Sequence, residues 1–245
     1  MTSFKGTRHS FHRYLQSPSF KKTFDIVKDE EFRNANVNFR AVMADLKREG
    51  KGSVDHHPVI SDADLQKIYN SMYLDIATPA GLLNKVQMDV RLYFFRRGSE
   101  NMHKMTKETF CLQKDPNTGL KFVSKKDELT KNHRETDKEN VGGYMPEIPG
   151  NLMCPVSSFE KYVTKLNDHC IRFWQRPRDT FADSDEHWYC NIPIGEKTLS
   201  SFMSILSKEF QLSQYYTNHS IRATGATLLS RNQYGAAQIM SVTGN

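Results

Sequence analysis

One short stretch, Asp115-Pro-Asn-Thr-Gly119, does most to limit what this 245-residue chain can fold into. Its residue types are those a tight turn selects, and apolar positions alternate on both sides of it. Glu108–Gln113 and Leu120–Ser124 therefore read as the two arms of a hairpin, and Glu128–Arg134 as a weaker third strand. Elsewhere the apolar spacing is helical. It runs through Phe11, Tyr14 and Leu15, through Phe39, Val42, Met43 and Leu46, and through residues 82–96. It returns in Phe159, Tyr162 and Leu166 after Cys154-Pro155-Val156, and again over residues 199–210. The pattern predicts a mainly α chain with a small three-stranded antiparallel sheet, an α+β architecture. Residues 140–150, with three glycines and two prolines, read as a loop, and Trp188–Cys190 as a short extended piece.

Helix-start chemistry places several boundaries. Ser61, with Asp64 three residues on, is a capping-box variant, and Thr78-Pro79 opens the helix that ends near Arg96-Arg97-Gly98. Cations at a helix C-terminus complement the dipole, which accounts for one arginine better than for two. Gly50–Pro58 is polar and glycine-bearing, so it reads as a linker. It separates a helical segment, residues 1–56, from a main domain, residues 57–245.

No apolar run is long enough to span a membrane, and no secretory pattern opens the chain. Cys111, Cys154, Cys170 and Cys190 form no Cys-x-x-Cys pair, so neither a zinc site nor a disulfide framework is expected. The net charge is +6. Residues 141–245 carry nine charges of each sign, so the whole excess lies in residues 1–140. Met1–Lys22 holds five Lys and Arg and no acid. Such a distribution fits contact with nucleic acid, and equally a merely basic protein.

The C-terminal stretch is the most suggestive. Thr217 or Asn218 can cap a helix whose first turns carry His219 and Arg222, roughly 60° apart around the axis. Ile221, Gly225, Leu228 and Leu229 would pack inward. Gln233–Gly235 reads as a turn, and Ala236–Val242 as a further short helix. A His/Arg pair at a helix start, beside outward-pointing amides, is suited to hold a phosphate. By itself His-x-x-Arg is a weak signal.

Its company makes it stronger. An Arg-x-x-Glu after a helix, a small sheet bearing a lysine, a Cys-Pro-Val helix and a Thr-x-His-x-x-Arg helix follow in that order. This order resembles the tyrosine recombinase family. The similarity is greatest to Crypton-type recombinases and to the domesticated, transposon-derived domains of the MYM-type zinc-finger proteins. It covers roughly residues 58–245, and it implies that residues 1–56 correspond to part of the helical DNA-clamping domain that precedes the catalytic domain. It also implies a recombinase catalytic-domain-like fold and a set of site residues. Arg97 and Arg222 would neutralise phosphate oxygens, with Glu100 buttressing Arg97. Lys131 best fits the sheet lysine, with Lys125 and Lys126 as fallbacks, and His219 would assist proton transfer. Asn245 stands where the family has a histidine or tryptophan. No tyrosine stands at the nucleophile's place; Tyr215, Tyr216 and Tyr234 read as structural aromatics.

The resemblance thus implies a DNA-binding protein of a DNA recombination and integration lineage, not itself cleaving DNA as the chain is written. It implies double-stranded DNA as partner, self-association on DNA, no metal and no small-molecule cofactor, and a nuclear location in a eukaryote. The alternative is a domesticated, non-catalytic interaction module associated with chromatin or transcription. A third reading is a helical protein whose motif match is accidental.

Overall fold

The computed structural model describes residues 2–51, 57–96, 98–126 and 143–232. The chain divides into two compact units, residues 1–56 and 57–245. In the first, α1 (Thr2–Gln16) and α2 (Arg33–Arg48) are joined through the 17–32 segment. The Arg8 guanidinium lies 4.4 Å from the centroid of the Phe39 ring and donates to Asn36 Oδ1 at 2.9 Å. Asn36 Nδ2 in turn donates to the carbonyls of Ile26 and Val27, which holds the connecting segment onto α2. Met43 is the buried apolar residue of this unit among the described residues, while Phe4, Phe11 and Tyr14 are more than half exposed.

The second unit is built around α4 (Pro79–Tyr93), which follows α3 (Asp62–Tyr69). Both helices start as their residue types demand. Ser61 Oγ accepts from the Asp64 N–H, and Thr78 Oγ1 from the Gly81 N–H with Pro79 in the first turn. Leu82, Leu83, Val86 and Val90 enter one apolar core, and Met88 enters another. Helix α4 is therefore buried on more than one side, which is why apolar residues recur all around it. Even its ionic groups are inside. Lys85 and Asp89 pair there, and the Tyr69 hydroxyl donates to Asp89 at 3.1 Å. Burial raises the Asp89 carboxyl pKa above its ordinary value, with Lys85 and the Tyr69 hydroxyl opposing that rise.

The sheet is three-stranded and antiparallel, in the order β1 (Phe110–Lys114), β2 (Lys121–Lys125), β3 (Tyr144–Pro146). The Asp115–Gly119 turn joins the first two, with Asp115 Oδ1 accepting from the Asn117 N–H and Gly119 at φ 71°. The expected strand at Glu128–Arg134 lies outside the described residues. The third strand that is described comes from the segment expected to be a loop. Its Met145 is buried opposite Val123, so pairing and burial outweigh the local glycine and proline signal.

Helix α5 (Pro155–Lys165) lies against α4. Together with Phe110 it carries an aromatic core that includes Phe159, Tyr162, Phe173 and Trp174. Each fully buried side chain of this size is worth roughly 1.5–3 kcal/mol. A two-stranded ribbon, β4 (Gln175–Pro177) and β5 (Tyr189–Pro193), flanks this core. The single helix expected over 199–210 is two, α6 (Glu196–Ser200) and α7 (Phe202–Glu209), broken at Ser201. The last described element is α8 (Asn218–Arg231), which lies against α4 and α7. The turn and helix expected over residues 233–242 lie outside the described residues.

Candidate functional site

The site is set by how α8 begins. Thr217 Oγ1 accepts from the Ser220 N–H while Ser220 Oγ accepts from the Thr217 N–H, a reciprocal cap that fixes the first turn. Asn218 is 3% exposed, and its side-chain amide is fully used. It donates to the carbonyls of Leu199 at 3.1 Å and Ser200 at 2.9 Å, and accepts from the Met203 N–H at 3.0 Å. With Asn218 turned inward, His219 projects into solvent; Arg222, one turn later, is half-buried.

Facing this helix start is the turn that follows α4. The helix was expected to reach Arg96, but it stops at Tyr93. Phe95, Gly98 and Asn101 all take left-handed backbone conformations, at φ 49°, 59° and 57°. Arg96 is therefore not an exposed helix-end cation. It is 6% exposed and its Nη2 donates to the Glu100 carbonyl at 2.6 Å.

The first three turns of α8 run antiparallel to this turn and to the end of α4, in four successive contacts. Asn218 Nδ2 reaches Ser99 Oγ at 3.3 Å, and the His219 ring sits on Gly98, where a Cβ would meet Nε2 at 2.9 Å. Arg222 Nη1 donates to the Phe95 carbonyl at 3.4 Å. A Cβ on Gly225 would lie 2.8 Å from the Leu92 carbonyl oxygen, so the two backbones nearly touch there. Behind the site, the wholly buried Arg91 donates to the Leu199 carbonyl at 2.8 Å, the acceptor that Asn218 also uses. Burial, and then the charge of Arg96, pushes the Arg91 guanidinium pKa down to about 9, which leaves it charged at neutral pH.

Among the sequence candidates, His219 and Arg222 are thus brought together against the turn that contains Glu100. Arg97, Lys131 and Asn245 lie outside the described residues. Of the fallback lysines, Lys125 ends β2 and Lys126 follows it, and Lys125 Nζ donates to the Lys126 carbonyl. Tyr216 is fully buried with its hydroxyl on Asp64 at 2.9 Å; Tyr215 is 57% exposed; Tyr234 lies outside the described residues. Among the described residues no group of His, Cys, Asp and Glu is placed to hold a metal ion, and no helix is long and apolar enough to cross a membrane.

Two contributors to the site carry no local signal in the sequence. Asn218 reads as a cap candidate, and its position beside Thr217 carries no sign of its long-range bonds. His57 falls in the stretch that reads as a linker, yet it stacks on His219 with ring centroids 4.6 Å apart and planes 11° from parallel.

Residues 59–208 match the model of a protein family described as a domain of unknown function, DUF3504. The match takes in everything from α3 to α7, including the turn after α4. None of the curated proteins matches the chain.

Proposed function

The chain belongs to the DUF3504 family, and on that premise we propose that it is a DNA-binding protein of tyrosine-recombinase lineage, with its phosphodiester site where α8 meets the turn after α4. The observation that carries the reading is the four-contact antiparallel approach, which sets His219 and Arg222 against the turn where the resemblance puts Arg97 and Glu100. Those residue types suit a phosphodiester. A guanidinium can offer two parallel N–H donors to non-bridging oxygens, and an imidazole can hold or pass a proton at the bridging one. The charge excess in residues 1–140 is compatible with the same partner, because phosphate contacts supply most sequence-independent affinity. The helical pair of residues 1–56 is then part of the DNA-clamping region, and in a eukaryote the protein's place is the nucleus.

The test is binding of the full chain to a short duplex across a salt series. Affinity should fall steeply with salt, and Arg222→Ala should weaken binding about 3- to 30-fold and reduce the salt slope by about 1. A duplex affinity that does not respond to salt, or that Arg222→Ala leaves unchanged, would remove this site from the reading. The alternative, a non-catalytic chromatin-associated interaction module, rests on the exposed Phe4, Phe11 and Tyr14 of α1. Binding to a protein partner, with no salt-dependent affinity for DNA, would favour it.

A further inference from the structure

We infer that His57 is a second imidazole of the phosphate site, offering its Nε2–H to a phosphodiester oxygen beside His219; this rests on the DNA-binding reading above. Three observations carry it.

The first is the stack. His57 and His219 are both exposed and nearly parallel at 4.6 Å between centroids. Two imidazoles stacked at this separation occupy one small patch of surface, so a phosphodiester group that reaches one lies within a few ångströms of the other.

The second is the tautomer. His57 Nδ1 lies 3.4 Å from Thr217 Oγ1. The Thr217 hydroxyl, like any hydroxyl, can give its proton to that nitrogen. Donation to Nδ1 makes that nitrogen the acceptor and puts the ring's N–H on Nε2, at the far side of the ring from Thr217. In that arrangement the residue that caps α8 also sets the protonated edge of His57.

The third is the chemistry of the surroundings. Thr217 and His219 belong to the start of a 14-residue helix whose amides favour an anion, and Arg222 follows on the next turn. A further N–H donor at this edge adds to the donors that the helix start and Arg222 supply.

The experiment uses the full chain with 15N-labelled histidine and a short duplex DNA as the probe. Long-range proton–nitrogen correlation should show His57 with its proton on Nε2, and both the His57 and His219 rings should shift on adding duplex. His57→Phe keeps an aromatic ring for the stack but removes the donor. It should leave the His219 ring signals of the unbound protein close to those of the wild type and weaken duplex binding three- to tenfold. A proton on Nδ1 of His57, or duplex binding by His57→Phe as tight as wild type, would overturn the inference while leaving the DNA reading standing if Arg222→Ala still weakens binding. Failure of the wild-type chain to bind duplex at all would instead sink the DNA reading, and this inference with it.

Discussion

A methyl group on Gly98 would come within 2.9 Å of Nε2 of His219, a residue 121 positions further along the chain. Gly98 also holds φ 59°, a backbone conformation that an L side chain adopts at a cost of about 1 kcal/mol or more. Gly98→Ala should therefore do two separable things. It should lower stability by about 1–2 kcal/mol in urea unfolding. At temperatures where it is still folded, it should displace the His219 imidazole and weaken duplex binding further than the stability loss explains. Wild-type affinity in a folded Gly98→Ala protein would show that the His219 ring position does not matter for binding.

Gly225 should reverse an ordinary rule. Replacing a mid-helix glycine by alanine usually stabilises by roughly 0.5–1 kcal/mol. Here the new methyl would meet the Leu92 carbonyl oxygen at 2.8 Å and the Phe95 ring at 2.9 Å. Both belong to the end of α4 and its turn, and neither can yield without moving the site. Gly225→Ala is expected to destabilise by roughly 1–2 kcal/mol net. A gain in the urea midpoint would mean that α8 lies further from α4 than described.

What could be read from the sequence was local, and what could not was held by distant partners. The Thr217 cap and the outward His219 follow from residue types within one turn, and the Asp115–Gly119 hairpin follows from turn chemistry. The early end of α4 did not, because Phe95 is held left-handed in a turn whose Arg96, Ser99 and carbonyls bond to Glu100, Asn218 and Arg222. Nor did β3: three residues carry no measurable periodicity, and Met145 is in place because Val123 lies opposite. His57 read as linker because its partners, Thr217 and His219, are about 160 positions away.

Asn218 ties α8 to α6 and α7. Truncating it to alanine leaves the buried Met203 N–H without its partner and removes a donor from the Leu199 and Ser200 carbonyls. Leu199 keeps its bond from Arg91, so the loss is partial. Asn218→Ala should cost on the order of 2–3 kcal/mol. Trp174 and Trp188, both buried, provide the fluorescence signal for urea unfolding. A change under 0.5 kcal/mol would mean that this amide is not the tie it is described to be.

Asp64 gives the protein a defined acid response. Its place three residues after Ser61 suggested a simple cap, and Ser61 Oγ does accept from its N–H at 3.1 Å. Asp64 as a residue is only 6% exposed. It accepts from the Tyr216 hydroxyl at 2.9 Å, from the Ser213 N–H at 3.2 Å and from the Ser61 hydroxyl at 3.0 Å. Burial alone would raise its pKa, but the hydrogen bonds from Ser213, Tyr216 and Ser61 outweigh that and hold it below the ordinary carboxylate value. A carboxyl with a lowered folded pKa binds its proton more readily when the chain is unfolded. Its contribution is therefore fully present above the unfolded value near 4, and it is lost as pH falls through the lowered folded value. Asp64→Asn keeps the shape but turns an amide N–H₂ toward hydroxyls that now donate, so at pH 7 it should cost about 1.5–3 kcal/mol. Urea midpoints of wild type and Asp64→Asn should be well apart at pH 7 and at pH 5, then converge below about pH 4 as the wild-type carboxyl takes up its proton. Other carboxyls titrate in the same range in both proteins, so the difference between the two curves isolates this one. Two curves that stay parallel down to pH 3 would show that Asp64 is not the source of the acid sensitivity.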